Sequence, residues 1–154
     1  MMNGVHDMTQ RTALDRLLEL ALVLSQDMAA SLPAMELTEA RAHVVWEIHH
    51  RGPMTQRQIA EALDVTPRNV TGLVDALVDS GFVTREPHPS DRRATLVTFT
   101  AKGTRIAKNL EQGHDDLARM LYDDVPADAV ESFVTVSEHV LARLAQHDAT
   151  RRNG

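Results

Sequence analysis

Two closely spaced helix starts, at Thr55 and Thr66, constrain this chain more than any other feature. Thr55-Gln56-Arg57-Gln58 has the form of a capping box, a hydroxyl at the N-cap answered by a glutamine three positions on. A short helix follows through Ile59, Ala60 and Leu63, and Asp64-Val65 leaves room only for a tight turn. Thr66-Pro67 then restarts a helix, with the hydroxyl as cap and proline at the first helical position, where a missing N–H costs nothing. Val70, Leu73, Val74, Leu77 and Val78 share one face of this second helix, while Arg68, Asn69, Thr71 and Asp75 share the other. Ser80-Gly81 ends it.

A hairpin follows. Phe82 to Arg85 reads as a short strand, Pro87 to Arg93 as a loop by composition, and the β-branched, aromatic run Thr95 to Phe99 as the return strand. Two helices joined by a tight turn and followed by an arginine-tipped hairpin make a winged helix-turn-helix. The expected fold class is mainly α with a small β-hairpin wing.

The flanks are helical. Leu14, Leu17, Leu18, Ala21, Leu24 and Met28 recur at helical spacing within Arg11 to Ala30, while Leu20, Leu22 and Val23 fall outside that stripe. A helix so apolar needs burial on more than one side, which points to a partner chain. Ser31 to Leu37 is a break around Pro33, and Thr38 caps a helix that carries Val44, Val45, Trp46 and Ile48 and ends before Gly52-Pro53. Beyond the wing, Thr100 caps a helix through Ile106, Leu110, Leu117 and Leu121, with Gly113 weakening its middle. Pro126 starts a last helix, and Thr150 to Gly154 should fray. The organisation expected is a reading lobe over 33–99 and a helical dimerisation region over 8–32 and 100–150, in one continuous fold.

The lobe's chemistry suits double-stranded DNA. A helix of this kind places its N-terminal residues at base edges in the major groove, here Thr66, Arg68, Asn69 and Thr71. Arginine can grip guanine, and asparagine adenine, with two hydrogen bonds each. Hydroxyls and N–H groups at both helix starts, Thr55 and Gln56 included, can hold phosphates, and Arg85 at the end of the first strand is a further candidate DNA contact. The wing offers Arg92 and Arg93 to the narrow minor groove, and Asp91 is placed to fix an arginine side chain by a charged hydrogen bond.

The net charge of −6 runs against a polyanionic partner. It is not spread evenly. Arg51 to Arg93 holds six arginines (51, 57, 68, 85, 92, 93) and six acids (61, 64, 75, 79, 86, 91), so the deficit lies outside this segment. The acidic balance keeps a second reading open, a winged-helix protein-interaction module without DNA binding. With 43% hydrophobic and 25% charged residues the chain is an ordinary globular sequence. The absence of cysteine excludes disulfides, thiolate zinc sites and thiol redox sensing. His43, His49 and His50 lie on one helix at spacings that do not share a face, so no metal or cofactor is expected. No nucleophile–base–orienter set or glycine-rich phosphate loop suggests an enzyme. Met1 to Gln10 lacks the pattern of a leader, and the apolar run Leu17 to Leu24, interrupted by Glu19, reads as too short to span a bilayer, so a cytoplasmic, membrane-free protein is expected.

From Leu37 to Gly103 the chain resembles the MarR family of bacterial regulators. The matching pieces are Leu37-Thr38, Gly52-Pro53-Met54-Thr55-Gln56, Ile59-Ala60-Glu61-Ala62-Leu63, Val70-Thr71-Gly72-Leu73-Val74-Asp75, Leu77, Gly81-Phe82-Val83, Arg85, Asp91-Arg92-Arg93, and Leu96-Val97-Thr98-Phe99-Thr100 through Gly103. Their order and spacing carry the resemblance. It implies a homodimer built on the first and last helices, a pseudo-palindromic operator, and repression relieved by a small, often aromatic and anionic effector in a pocket between dimer base and reading head. It also implies the wing pattern Asp-x-Arg on Asp91 and Arg93, with Arg93 in the minor groove and Arg92 on a phosphate. His43 and Trp46 are the candidates to line the effector pocket.

Overall fold

The computed structural model describes residues 2–152. The elements are α1 (Met2–Ser31), a short 3₁₀ turn (Leu32–Met35), α2 (Glu39–Arg51), β1 (Met54–Thr55), α3 (Gln56–Leu63), α4 (Pro67–Asp79), β2 (Val83–Pro87), β3 (Thr95–Phe99), α5 (Ala101–Tyr122) and α6 (Ala127–Arg152). They form two compact units, Met1–Leu110 and Glu111–Gly154, divided within α5.

The helix starts obey their caps. Thr38 accepts a bond from the Arg41 amide, Thr66 one from Asn69, and Thr55 and Gln58 close the reciprocal capping box. The α3–α4 turn works because Asp64 adopts a left-handed conformation at φ 52° and the Val65 amide reaches back to the Ala60 carbonyl at 3.1 Å. Gly52 ends α2 at φ 80°, its amide bonded to Ile48 O at 2.9 Å.

The hairpin gains a third strand that the sequence did not reveal. β1 pairs antiparallel with β3, Met54 opposite Val97 and Thr55 opposite Leu96, so the sheet order is β1-β3-β2. Two residues are too few to show an alternating pattern, and Thr55 is also the cap of α3. β2 pairs with β3 from Val83↔Phe99 to Pro87↔Thr95, so Pro87, expected in the loop, closes the ladder.

The core of the first unit joins α2 (Val44, Val45, Ile48), α3 (Ile59), α4 (Val70, Val74, Leu77) and the sheet (Met54, Val83, Val97), with Phe82 buried at the junction of α4 and β2. α5 is fastened to that junction. The Thr100 amide donates to Phe82 O at 3.1 Å, its hydroxyl donates to Gly81 O at 2.6 Å, and the same hydroxyl accepts the Gly103 amide at 3.0 Å. Lys102 Nζ lies 4.6 Å from the centre of the Phe82 ring and donates to Ser80 O and to Glu36.

α1 begins at Met2, nine residues before Arg11, where the sequence places the start of the apolar segment. None of the side chains from Asp7 to Ser31 is buried. One expectation is corrected here. By length and mean hydropathy, 1.2 over an 18-residue window, the helical stretch Asp7–Met35 is apolar enough to cross a bilayer, because the apolar residues on either side of Leu17–Leu24 offset Glu19. In the second unit Pro126 sits just before α6, accepting bonds from the Ala129 and Val130 amides, and the Tyr122 and Phe133 rings meet at 6.3 Å. Phe133, Val134, Val136, Leu141 and Leu144 are exposed.

A Cβ added at Gly103 would lie 1.9 Å from Phe82 O, whereas one at Gly113 meets nothing within 4 Å. Gly103→Ala is therefore expected to destabilise the protein by about 1–3 kcal/mol, since rigid backbone must move. Gly113→Ala, by removing a flexible mid-helix residue, should stabilise it by about 0.5–1 kcal/mol. Thermal melts of the two variants check the contrast, and equal melting temperatures would contradict the docking described.

Candidate nucleic-acid interface

The capped start of α4 presents Thr66, Arg68 and Asn69 to solvent, all exposed. The Thr66 hydroxyl accepts the Asn69 amide at 3.3 Å, so it is a cap first. No hydrogen bond or ion pair within the described residues engages the Arg68 or Asn69 side chain. Both are free to meet a ligand.

Thr71, Gln56 and Arg85, expected from the sequence on the same partner, meet one another. Gln56 Nε2 donates to the Thr71 hydroxyl at 3.0 Å, and that hydroxyl donates to Pro67 O at 3.0 Å. Gln56 Oε1 accepts Arg85 Nε at 3.3 Å, and the other end of the guanidinium binds Asp75. One chain of polar contacts thus links the start of α3, the exposed face of α4 and strand β2. Asp75, expected on the outward face of this helix and among the balancing acids, is the group that orients Arg85. Its exposed-face position was visible; its partner, ten residues on in another element, was not.

The wing tip carries Arg92 and Arg93, both exposed and with no side-chain partner among the described residues. Asp91 differs from expectation. Its carboxylate accepts the Arg93 main-chain amide at 2.9 Å and no arginine side chain, so it shapes the loop backbone rather than a rotamer. The Ala94 amide donates to Asp91 O at 3.1 Å, and the His88 amide to Ala94 O at 3.1 Å, closing the loop.

The segment's arginines therefore divide. Arg51 pairs with Glu47, Arg57 with Glu61 and Arg85 with Asp75, each through a direct contact. Arg68, Arg92 and Arg93 make no ion pair among the described residues.

On α2, His43 Nε2 lies 3.8 Å from Glu47, and half-buried Trp46 stacks on His50 with ring centres 4.3 Å apart. The His49 and His50 rings also touch, edge to face at 5.2 Å, although adjacent helix positions were expected to diverge. Two concave surfaces lie away from His43 and Trp46. One, of about 510 Å³, is lined by Arg51, Pro53, Met54, Gln58, Glu61 and Ala62; another, of about 370 Å³, by residues of α5.

Comparison with known proteins agrees with this geometry. Residues 37–95 match the model of the MarR family. An HTH-type transcriptional regulator of Bacillus subtilis, YfiV, is 33% identical over 88 residues, 56% of this chain and 55% of that protein. The alignment thus spans about half the length of that relative. The multiple antibiotic resistance protein MarR of Escherichia coli is 27% identical over 113 residues, 73% of this chain and 76% of that protein. The crystal structure of apo wild-type E. coli MarR superposes with a TM-score of 0.66 at 28% identity, covering 83% of this chain and 96% of that one. Streptococcus pneumoniae FabT, solved in complex with DNA, shares the fold with a TM-score of 0.82 at 17% identity, covering 89% and 98%.

A double-mutant cycle tests whether the Gln56 bridge persists in solution. Gln56→Ala and Arg85→Ala should couple by about 0.5–1.5 kcal/mol in unfolding free energy. The exposed helical pair Arg57–Glu61 should couple by only about 0.3–0.5 kcal/mol. Strict additivity for Gln56 and Arg85 would remove the bridge from the account.

Proposed function

We propose that the chain is a transcriptional regulator of the MarR family that binds a pseudo-palindromic duplex as a homodimer, a reading supported by the match of residues 37–95 to that family's model. The observation that carries this reading is the set of unpaired cations. In a segment with as many acids as arginines, the arginines without an acid are those at the start of α4 and at the wing tip. Those are the two places where a winged helix meets a major and a minor groove. Arg68 and Asn69 would then read base edges, Thr55 and Thr66 would sit at phosphates beside their helix N-termini, and Arg93 would enter the minor groove with Arg92 on a phosphate. Gln56, Thr71, Arg85 and Asp91 would act chiefly by holding these elements in place.

The dimer is supported by apolar surface that each unit leaves bare. Leu14, Leu17, Leu18, Leu20, Leu22, Val23 and Met28 are exposed on α1, as is the set on α6. Surfaces of this kind mark association sites, and a second copy of the chain is the partner the family resemblance implies. Helices 8–32 and 100–150 would form its base, in a soluble, cytoplasmic protein. The acidic balance outside the reading segment would then lie away from the duplex. A protein-interaction module without DNA binding is the competing function, and it predicts no duplex affinity even at low salt.

Binding to the chain's own promoter region, measured by gel shift across a salt series, should survive competitor DNA and fall steeply with salt. Arg68→Ala is expected to cost about 1–3 kcal/mol and relax base preference, and Arg93→Ala to weaken binding more evenly across sequences. Leu18→Glu together with Leu141→Glu should yield monomers by light scattering and lose operator binding. Variants that bind like the parent would overturn the site assignment.

We further infer repression relieved by a small aromatic anion, with His43 and Trp46 at its pocket. The support is the family resemblance and the aromatic–histidine stack on α2. Such an effector should shift Trp46 fluorescence, raise the melting temperature and weaken DNA binding. DNA should weaken effector binding by the same factor. A broad panel of aromatic acids with no such response would leave α2 as core alone.

A further inference from the structure

His88 sits between Pro87 and Pro89, half-buried at the base of the wing loop. Its ring nitrogen Nδ1 accepts two main-chain amides, those of Ser90 and Asp91, each at 3.2 Å, and the Ser90 hydroxyl lies 3.3 Å away. Two converging N–H donors require Nδ1 to be the bare nitrogen, which places the ring's proton on Nε2. The Asp91 whose amide is held here is the residue whose carboxylate holds the Arg93 amide. His88 therefore starts a relay of side-chain-to-amide bonds that ends at the arginine tip.

We propose that His88 is a positioning residue of the wing: its Nδ1 fixes the turn that presents Arg92 and Arg93. A loop that is ordered before binding does not have to be ordered at the cost of affinity. The consequence for duplex binding rests on the function proposed above, whereas the holding of the loop does not.

The chemistry dictates which substitutions should work. The acceptor stands one bond beyond Cγ. Asparagine carries its carbonyl oxygen at that same position, and asparagine side chains commonly bond amides two residues on. Glutamine carries its oxygen one bond further out, where it overshoots. The ring also imposes a condition, because an imidazolium bears a hydrogen on Nδ1 and cannot accept. The other charged groups of the hairpin are Arg85 and Glu86 on β2 and Asp91, Arg92 and Arg93 in the loop, and β3 carries none. No ion pair among the described residues reaches His88. The turn is thus complete with the neutral ring and loses both bonds when the ring protonates.

The test uses the full chain. Long-range ¹⁵N spectra should show an unprotonated Nδ1 in the parent. The Ser90 and Asp91 amides should be protected, exchanging well below their intrinsic rates at the same pH. His88→Asn should keep that protection, and His88→Gln should lose it. In duplex binding at about pH 8, His88→Asn should match the parent while His88→Gln weakens binding about tenfold. A proton on Nδ1, or equal exchange in the asparagine and glutamine variants, would overturn the proposal. If no duplex binds even the parent, the DNA reading fails while the exchange data still decide the role of His88.

Discussion

The reading lobe depends on one crowded point, where the main chain of Phe82 meets the start of α5. The Phe82 amide closes the end of α4 on Leu77 O at 2.9 Å, and Gly81 turns the chain at φ 74°. Its ring is buried, and its carbonyl accepts both the amide and the hydroxyl of Thr100. That carbonyl approaches Gly103 so closely that no side chain fits. The chain leaves α4 for the wing and returns from the wing into α5 through this one knot. The angle between α4 and the hairpin is therefore set by short-range contacts with little freedom, since close-packed backbone transmits rather than absorbs displacement. The Thr71–Gln56–Arg85–Asp75 chain braces the same angle from the opposite, exposed side.

What the sequence disclosed and what it hid follow the distance over which each interaction acts. Thr38, Thr55, Thr66 and Thr100 were readable as caps because each contacts an amide three residues away. The strands β2 and β3 were readable because β-branched residues cluster there. β1 was not, since a two-residue strand exists only through its partner, forty residues on in β3. The same holds for the site. The outward positions of Arg68, Arg92 and Arg93 followed from helix phase and loop composition. That Gln56 and Arg85 would spend their polar atoms on each other, 29 positions apart, followed from nothing local. Asp91 shows the intermediate case: its involvement with Arg93 was legible from spacing, but not that the main chain would be the donor.

Net charge looked like the strongest objection to a duplex partner, and the pairing pattern shows why it is a weak one. A count of acids and bases treats all charges as one pool, whereas a bound polyanion sees only those not already engaged. Glu47, Glu61 and Asp75 each engage a particular arginine, so Arg68, Arg92 and Arg93 are the arginines of the segment without an ion pair among the described residues, while the Asp91 carboxylate beside the wing arginines is held by the Arg93 amide. Screening at physiological salt acts over roughly 8 Å, so acids elsewhere on the chain weigh on approach more than on contact.

The burial pattern divides the labour of folding in the same way. Among the described residues every buried apolar side chain belongs to the stretch from Leu32 to Ala107, and α1 contributes none. The lobe thus closes its own core, while most apolar side chains of α1 and α6 stay exposed within their own unit. In the proposed dimer those residues do two things at once. They recover the free energy of burial, and they fix the distance between two reading heads, which each lobe alone leaves undefined. Once one head is bound, the second is delivered at high local concentration only if that distance matches successive turns of the duplex. In that dimer, affinity for a duplex would be decided as much by leucines away from the DNA as by the arginines proposed to touch it.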